Sequence, residues 1–287
     1  MTYFFKITDS ISKLIEGDEF AHFYLEGERS DFVRFNQNKV RQNGNVTQFY
    51  CTFTLISDSR QASSVITLCN DMEVDLKLFK NALQTLRKTL PSLEKDPYIL
   101  YSTEINSTYD IKESCLPDTQ SMVDEIMSNG KRKDLVGILS SGSIIRAFAN
   151  SLGQKNWFEK PGFSFDWSIY FEQDKAVKSG YAGYKWKSSD LAEKMEKATK
   201  ELSIMKKPAS TIKPGDYRVY LAPAAVDDFM HTLSWGGFGQ KSQKTRNSSL
   251  TKLVEGQRSF SEKITLTENN VDGELFRKDK QTTRLGT

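Results

Sequence analysis

Apolar positions in the first hundred residues recur at helical spacing and then at strand spacing. Ile7, Ile11, Leu14 and Ile15 precede Gly17 and predict a short N-terminal helix. Period two then takes over. Val33 and Phe35 share a strand face, Gln37-Asn38 makes a tight turn, Val40 lies on the return, and Asn43-Gly44 signals a hairpin before a strand over 46–56. Leu76, Phe79, Leu83, Leu86 and Leu90 line one face of a helix over about 73–90, with Asp71 near its start and Pro91 ending it.

A second block, about 115–205, mixes strands and helices again. A helix over about 121–129 is stopped by Gly130, and strands follow around 136–139 and 144–150, with Ser140-Ser141-Gly142-Ser143 read as the hairpin turn between them. The clearest strand is 164–172. Phe165, Trp167, Ile169 and Phe171 point one way, and Ser164, Asp166, Ser168 and Tyr170 the other. Leu191, Met195, Ala198, Leu202 and Met205 form the stripe of a helix over 190–205, with Asp190 and Glu193 as a capping box. Two prolines and a Pro-Gly turn make 206–216 the expected linker. Beyond it the pattern predicts a short strand at Val219, Tyr220 and Leu221, a helix carrying Val226, Phe229, Met230 and Leu233, a Gly-rich turn, and a strand-like run over 263–267.

The chain has 287 residues, enough for two domains. No apolar run approaches the roughly 20 residues of a membrane helix, and the N-terminus lacks a basic start and a small-residue cleavage site, so a cytoplasmic protein is expected. Three widely spaced cysteines give neither a disulfide framework nor a CxxC metal site, and Cys51 reads as a small core residue. Forty basic and 37 acidic side chains leave a formal net charge of +3, which predicts no obligatory polyanion partner. From Lys241 onward there are ten basic and six acidic residues, read as a solvated tail.

The stretch 221–239, LAPAAVDDFMHTLSWGGFG, places a strand, a Pro corner and a helix bearing His231 in succession. It resembles the metal-site segment of the TldD/PmbA metalloprotease family, where the helix carries an HExxxH motif. On that motif His231 matches the first histidine, Thr232 stands where the glutamate would be, and Gly236 stands where the second histidine would be. A zinc-type site needs about three protein ligands and a carboxylate to take a proton from bound water. One ligand and no base remain, so the segment is similar to the non-catalytic (PmbA or TldE) branch. Asp31 to Gly44 looks like the family's N-terminal hairpin, and Arg146 to Tyr170 like its central pair of strands, with an Ala-Asn-Ser-x-Gly turn at Ala149 to Gly153. Ser179 to Tyr184 and Lys213 to Val226 also fit.

The resemblance implies an α+β fold: an N-terminal domain over 1–205 with an antiparallel or mixed sheet and flanking helices, the linker 206–216, and a partial β-rich C-terminal domain over 217–287. Family members continue beyond the point where this sequence stops at TTRLGT, so an incomplete second domain is expected. It also implies a partner, either an HExxxH-bearing TldD-like subunit or a second copy in a homodimer, with peptides as substrates. No catalytic, cofactor or metal residue is assigned, and no cofactor is expected. A stand-alone peptide-binding scaffold and an inactive fragment are the alternatives.

Other chemistry is poorly supported by the residues. His22 and His231 are far apart, and neither has a CxxC or HExxH neighbour. Ser140 to Ser143 is not a GxSxG elbow. Gly236 to Ser242 departs from a phosphate loop because Gln240 separates the last glycine from Lys241-Ser242. Aromatic residues near basic ones at Lys155 to Lys160 and Tyr181 to Trp186 suit a core rim better than a nucleic-acid platform, given the balanced charge.

Overall fold

The computed structural model describes residues 1–172 and 175–267. Two compact units are present: Met1–Leu93 with Asn106–Thr211, and Glu94–Ile105 with the described residues from Ile212. The first unit is α+β, as the resemblance implied. Among the described residues its seven strands form one sheet: β1 (Phe20–Asn36), β2 (Lys39–Ser57), β3 (Arg60–Thr67), β4 (Thr108–Ile111), β5 (Asp134–Asn150), β6 (Lys155–Glu172) and β7 (Lys175–Gly183). The order is β3-β2-β1-β5-β6-β4, with β7 also on β6. All pairings are antiparallel except β4 on β6.

The strands are longer than the sequence pattern indicated, because two expected turns are not turns. Gln37 and Asn38 both take left-handed backbone (φ 51° and 54°), the geometry of a two-residue hairpin loop, so β1 and β2 need no second turn. Asn43-Gly44 therefore lies inside β2. A Cβ on Gly44 would stand 2.8 Å from the Phe32 ring opposite, so glycine is required there for close approach. Ser140 to Ser143 likewise runs straight through β5, fully paired with β1 and β6. The expected turn at Ala149 to Gly153 does form: Asn150 Oδ1 accepts from the Leu152 and Gln154 amides, both at 3.0 Å.

Side-chain parity along β1 sets the core. Ala21, Phe23 and Leu25 pack under α1 (Thr2–Ser12) and α2 (Met72–Thr89); Val33 and Phe35, of the same parity, pack under α3 (Thr119–Asn129) and α4 (Ser188–Met205). Two helix pairs thus cover the two ends of one sheet face. Trp167, Phe165 and Ile169 are buried as the alternation predicted, whereas Phe171, expected on the same face, is 39% exposed near the end of β6. In α2 the Asp71 carboxylate accepts from the amides of Glu73 and Val74 at 3.0 and 3.1 Å, a cap contributing about 1 kcal/mol. The capping box expected at Asp190 is absent: Lys187 is the N-cap of α4 and offers no side-chain bond.

In the second unit the described residues carry α5 (Pro223–Ser234), α6 (Gln240–Lys244) and α7 (Thr251–Val254). The strands expected at 219–221 and 263–267 are not formed. Glu94–Ile105 groups with this unit rather than with the chain before it.

Candidate functional site

His231 lies on the exposed surface of α5. Pro223 at the first helical position suits the start, because a missing N–H costs nothing there. The helix ends where the Gly237 amide donates to the Leu233 carbonyl at 3.1 Å; a Cβ on Gly237 would collide with that oxygen. The apolar positions at helical spacing, Val226, Phe229, Met230 and Leu233, form the expected helix but are not buried: no residue of α5 is, and Phe229 is 60% exposed. Thr232 sits in the glutamate position of the family motif, but its hydroxyl donates back to the Asp228 carbonyl at 2.9 Å. Gly236, in left-handed backbone at φ 82°, follows the helix without a side chain. Among the described residues no group of three or more His, Cys, Asp or Glu side chains is placed to hold a metal ion. These residues do not fit a catalytic zinc site, since one imidazole without a base cannot activate water.

The first unit holds a second, more elaborate feature. Between the two helix pairs a belt of the sheet face is left without a helix, and it is polar. β1 contributes Arg29 and Asp31 at the parity that is apolar on either side; β2 contributes Asn45 and Thr47, β5 Ser141 and Ser143, and β6 Glu159. Arg29 Nη1 lies 3.5 Å from Glu159 Oε1, and its guanidinium stands 5.3 Å above the Phe49 ring. Trp157 Nε1 donates to the other Glu159 oxygen at 3.3 Å. Asp31 accepts from Thr119 Oγ1 at 2.7 Å and from the Asn45 amide.

Two cavities of about 220 Å³ flank this belt. One lies beside α3 and is lined by Asp31, Val33, Val40, Asn45, Thr119 and Val123. The other lies beside α1, walled by Phe4, Leu25, Phe49, Leu68 and Trp157, with Met1, Arg29, Thr47 and Asn70 at its polar side. Behind the second cavity the fully buried Asp75 carboxylate accepts from Tyr3 Oη (2.6 Å), the Cys69 and Asn70 amides (3.1 and 3.2 Å) and Cys69 Sγ (3.2 Å). Burial, and then the bond to Asp75, push the Tyr3 hydroxyl pKa far up, so it stays protonated and donating. A backbone contact at Asp71, the largest single influence, pulls the Cys69 thiol pKa down, but the bond to Asp75, desolvation and the charges of Asp75 and Asp71 together make the net shift upward; Cys69 is not an activated nucleophile.

The residues of this belt are not among the candidates that local spacing offers. Its signal was present: Arg29, Asp31, Ser141, Ser143 and Glu159 interrupt an apolar parity that resumes on either side, the mark of a strand leaving one core and entering another. Reading Ser140 to Ser143 as a turn removed that continuity.

Among the described residues no helix is long and apolar enough to cross a membrane. By sequence the chain matches no family model and no curated protein. By structure it is similar to TldE from Thermococcus kodakarensis at 14% identity and a TM-score of 0.50, covering 70% of this chain and 47% of that one. It is also similar to two proteins described as candidate modulators of DNA gyrase. The one from Thermotoga maritima is 13% identical with a TM-score of 0.59, covering 87% of this chain and 58% of that one. The one from Bacteroides thetaiotaomicron is 12% identical with a TM-score of 0.59, covering 87% and 59%. The chain thus spans about half to three fifths of the length of these neighbours. The fold is TldD/PmbA-like.

Proposed function

We propose that this chain is a non-catalytic, PmbA/TldE-like subunit homologue in a cytoplasmic peptide-handling assembly, in which an HExxxH-bearing TldD-like chain supplies the metal and the base. The observation that carries this reading is the degenerate motif on α5: an exposed His231, a Thr232 hydroxyl committed to the Asp228 carbonyl, and Gly236 with no ligand to offer. The structural similarity to TldE supports it. Hydrolysis would belong to the partner, and this chain would hold or align the peptide. Among the described residues β2 has a strand on its outer side only from Tyr50 to Ser57, which leaves main-chain groups of its first half available for an extended peptide.

The test is to purify the chain, dialyse it, measure its metal content, and assay cleavage of an unfolded peptide with and without a TldD-like protein from the same genome. Negligible zinc and cleavage only in the mixture are the expected results. One tightly held zinc per chain, lost in His231→Ala, would overturn the reading. Peptide binding by a homodimer that gains nothing from the TldD-like protein would favour the stand-alone scaffold.

A further inference from the structure

The half-open cavity beside α1 combines an apolar wall with a polar side that carries two cationic groups, the Arg29 guanidinium and the N-terminal ammonium of Met1. Its volume of about 220 Å³ exceeds the ~150 Å³ of an engineered apolar cavity that takes up benzene. The Phe49 wall is held flat on the sheet because Gly27 lies beneath it: a Cβ there would come within 2.5 Å of the ring. Phe49 in turn supports the Arg29 guanidinium. The Arg29 side chain is about half exposed (52%), and its approach to Glu159 is 3.5 Å, long for a charge-assisted bond. A guanidinium carries five donors in a rigid fork that suits a two-point grip on a carboxylate, and the Glu159 contact uses little of that capacity. The nearby Asp75 charge is answered by four donors of its own, one of them the Tyr3 hydroxyl.

We propose that this cavity binds a monoanionic carboxylate bearing a compact apolar or aromatic body. The body lies among Phe4, Phe49 and Trp157, and the carboxylate takes the Arg29 fork in place of Glu159. A free aryl or alkyl carboxylate and the C-terminus of a peptide ending in an apolar residue share this chemistry. The proposal does not depend on the subunit reading, because nothing in it involves α5 or a partner chain.

Calorimetric titration of the full chain with 3-phenylpropionate, and with an acetylated tripeptide ending in Phe, tests it against the corresponding amides. Both acids should saturate below about 1 mM, with each amide at least about tenfold weaker. The tighter of the two acids identifies the source. Arg29→Gln should weaken the acids by about tenfold, and Glu159→Gln should strengthen them several-fold by removing the competing carboxylate, with both variants melting near the parent temperature. Equal affinity for acid and amide, unchanged binding by Arg29→Gln, weaker binding by Glu159→Gln, or no saturable heat up to about 5 mM would each overturn the proposal.

Discussion

His22 offers a quantitative test of how the sheet responds to pH. It sits near the start of β1 with Thr54 and Asn150 as its cross-strand neighbours, and its ring lies 5.8 Å edge-on from Phe148 and 6.2 Å from Phe20. Burial pushes its pKa down from 6.5 to about 4. A depressed base binds its proton less readily in the folded chain than in the unfolded one. The neutral imidazole therefore costs nothing above pH ~6.5, and stability is lost as pH falls from there toward ~4. With those two pKa values the loss is roughly 2 kcal/mol at pH 5 and roughly 3 kcal/mol at pH 4, at 1.36 kcal/mol per pKa unit. Carboxylates with lowered pKa values, such as Glu19 held by Arg87, also lose their contribution in acid, so the parent curve alone does not isolate His22. The difference between parent and His22→Gln does. Urea unfolding of both at a series of pH values should show the variant gaining on the parent by roughly 2 kcal/mol between pH 7.5 and 5. Parallel curves would mean that His22 charges as easily in the folded sheet as in water, and the burial argument would fail.

Trp167→Ala should destabilise by roughly 3–5 kcal/mol, because the ring is 2% exposed in the core under α3 and α4, while Ser168→Ala, on the opposite face of the same strand and only half-buried, should change stability by about 0.5 kcal/mol or less. Equal urea midpoints would refute the strand register. Asp75→Ala should cost roughly 3–5 kcal/mol by stranding the Tyr3 hydroxyl and two amides, and a thermal melt unchanged from the parent would show those donors finding water instead. Gln154 is fully buried and exchanges two hydrogen bonds with the Asn106 backbone (2.6 and 2.7 Å), so Gln154→Ala should speed amide hydrogen exchange in β4 while leaving the centre of β1 protected. Uniform acceleration across the sheet would mean that β4 does not open on its own.

Much of the first unit was legible in the chain. Period-two and helical spacings marked where strands and helices lie because each element must bury one face, and the residues doing so (Phe23, Phe53, Phe79, Leu83, Trp167, Leu191) are those whose transfer from water drives folding. The degenerate metal motif was legible for a different reason: ligands and bases are side-chain identities, and Thr and Gly cannot be made into Glu and His by any fold. Strand length was not legible. Asn43-Gly44 and Ser140 to Ser143 have the composition of turns, and only the cross-strand partners, with the Phe32 ring over Gly44 and continuous pairing along β5, hold them extended. The fate of α5 was not legible either, since its apolar stripe has the spacing of a core helix and is nonetheless exposed. The belt of Arg29, Asp31 and Glu159 exists only because two helix pairs sit at the two ends of the same sheet face and leave its middle open. Local spacing records which way a side chain points. Whether another layer covers it is decided by elements elsewhere in the chain, such as α4, which packs over Val33 and Phe35 from more than 150 residues away.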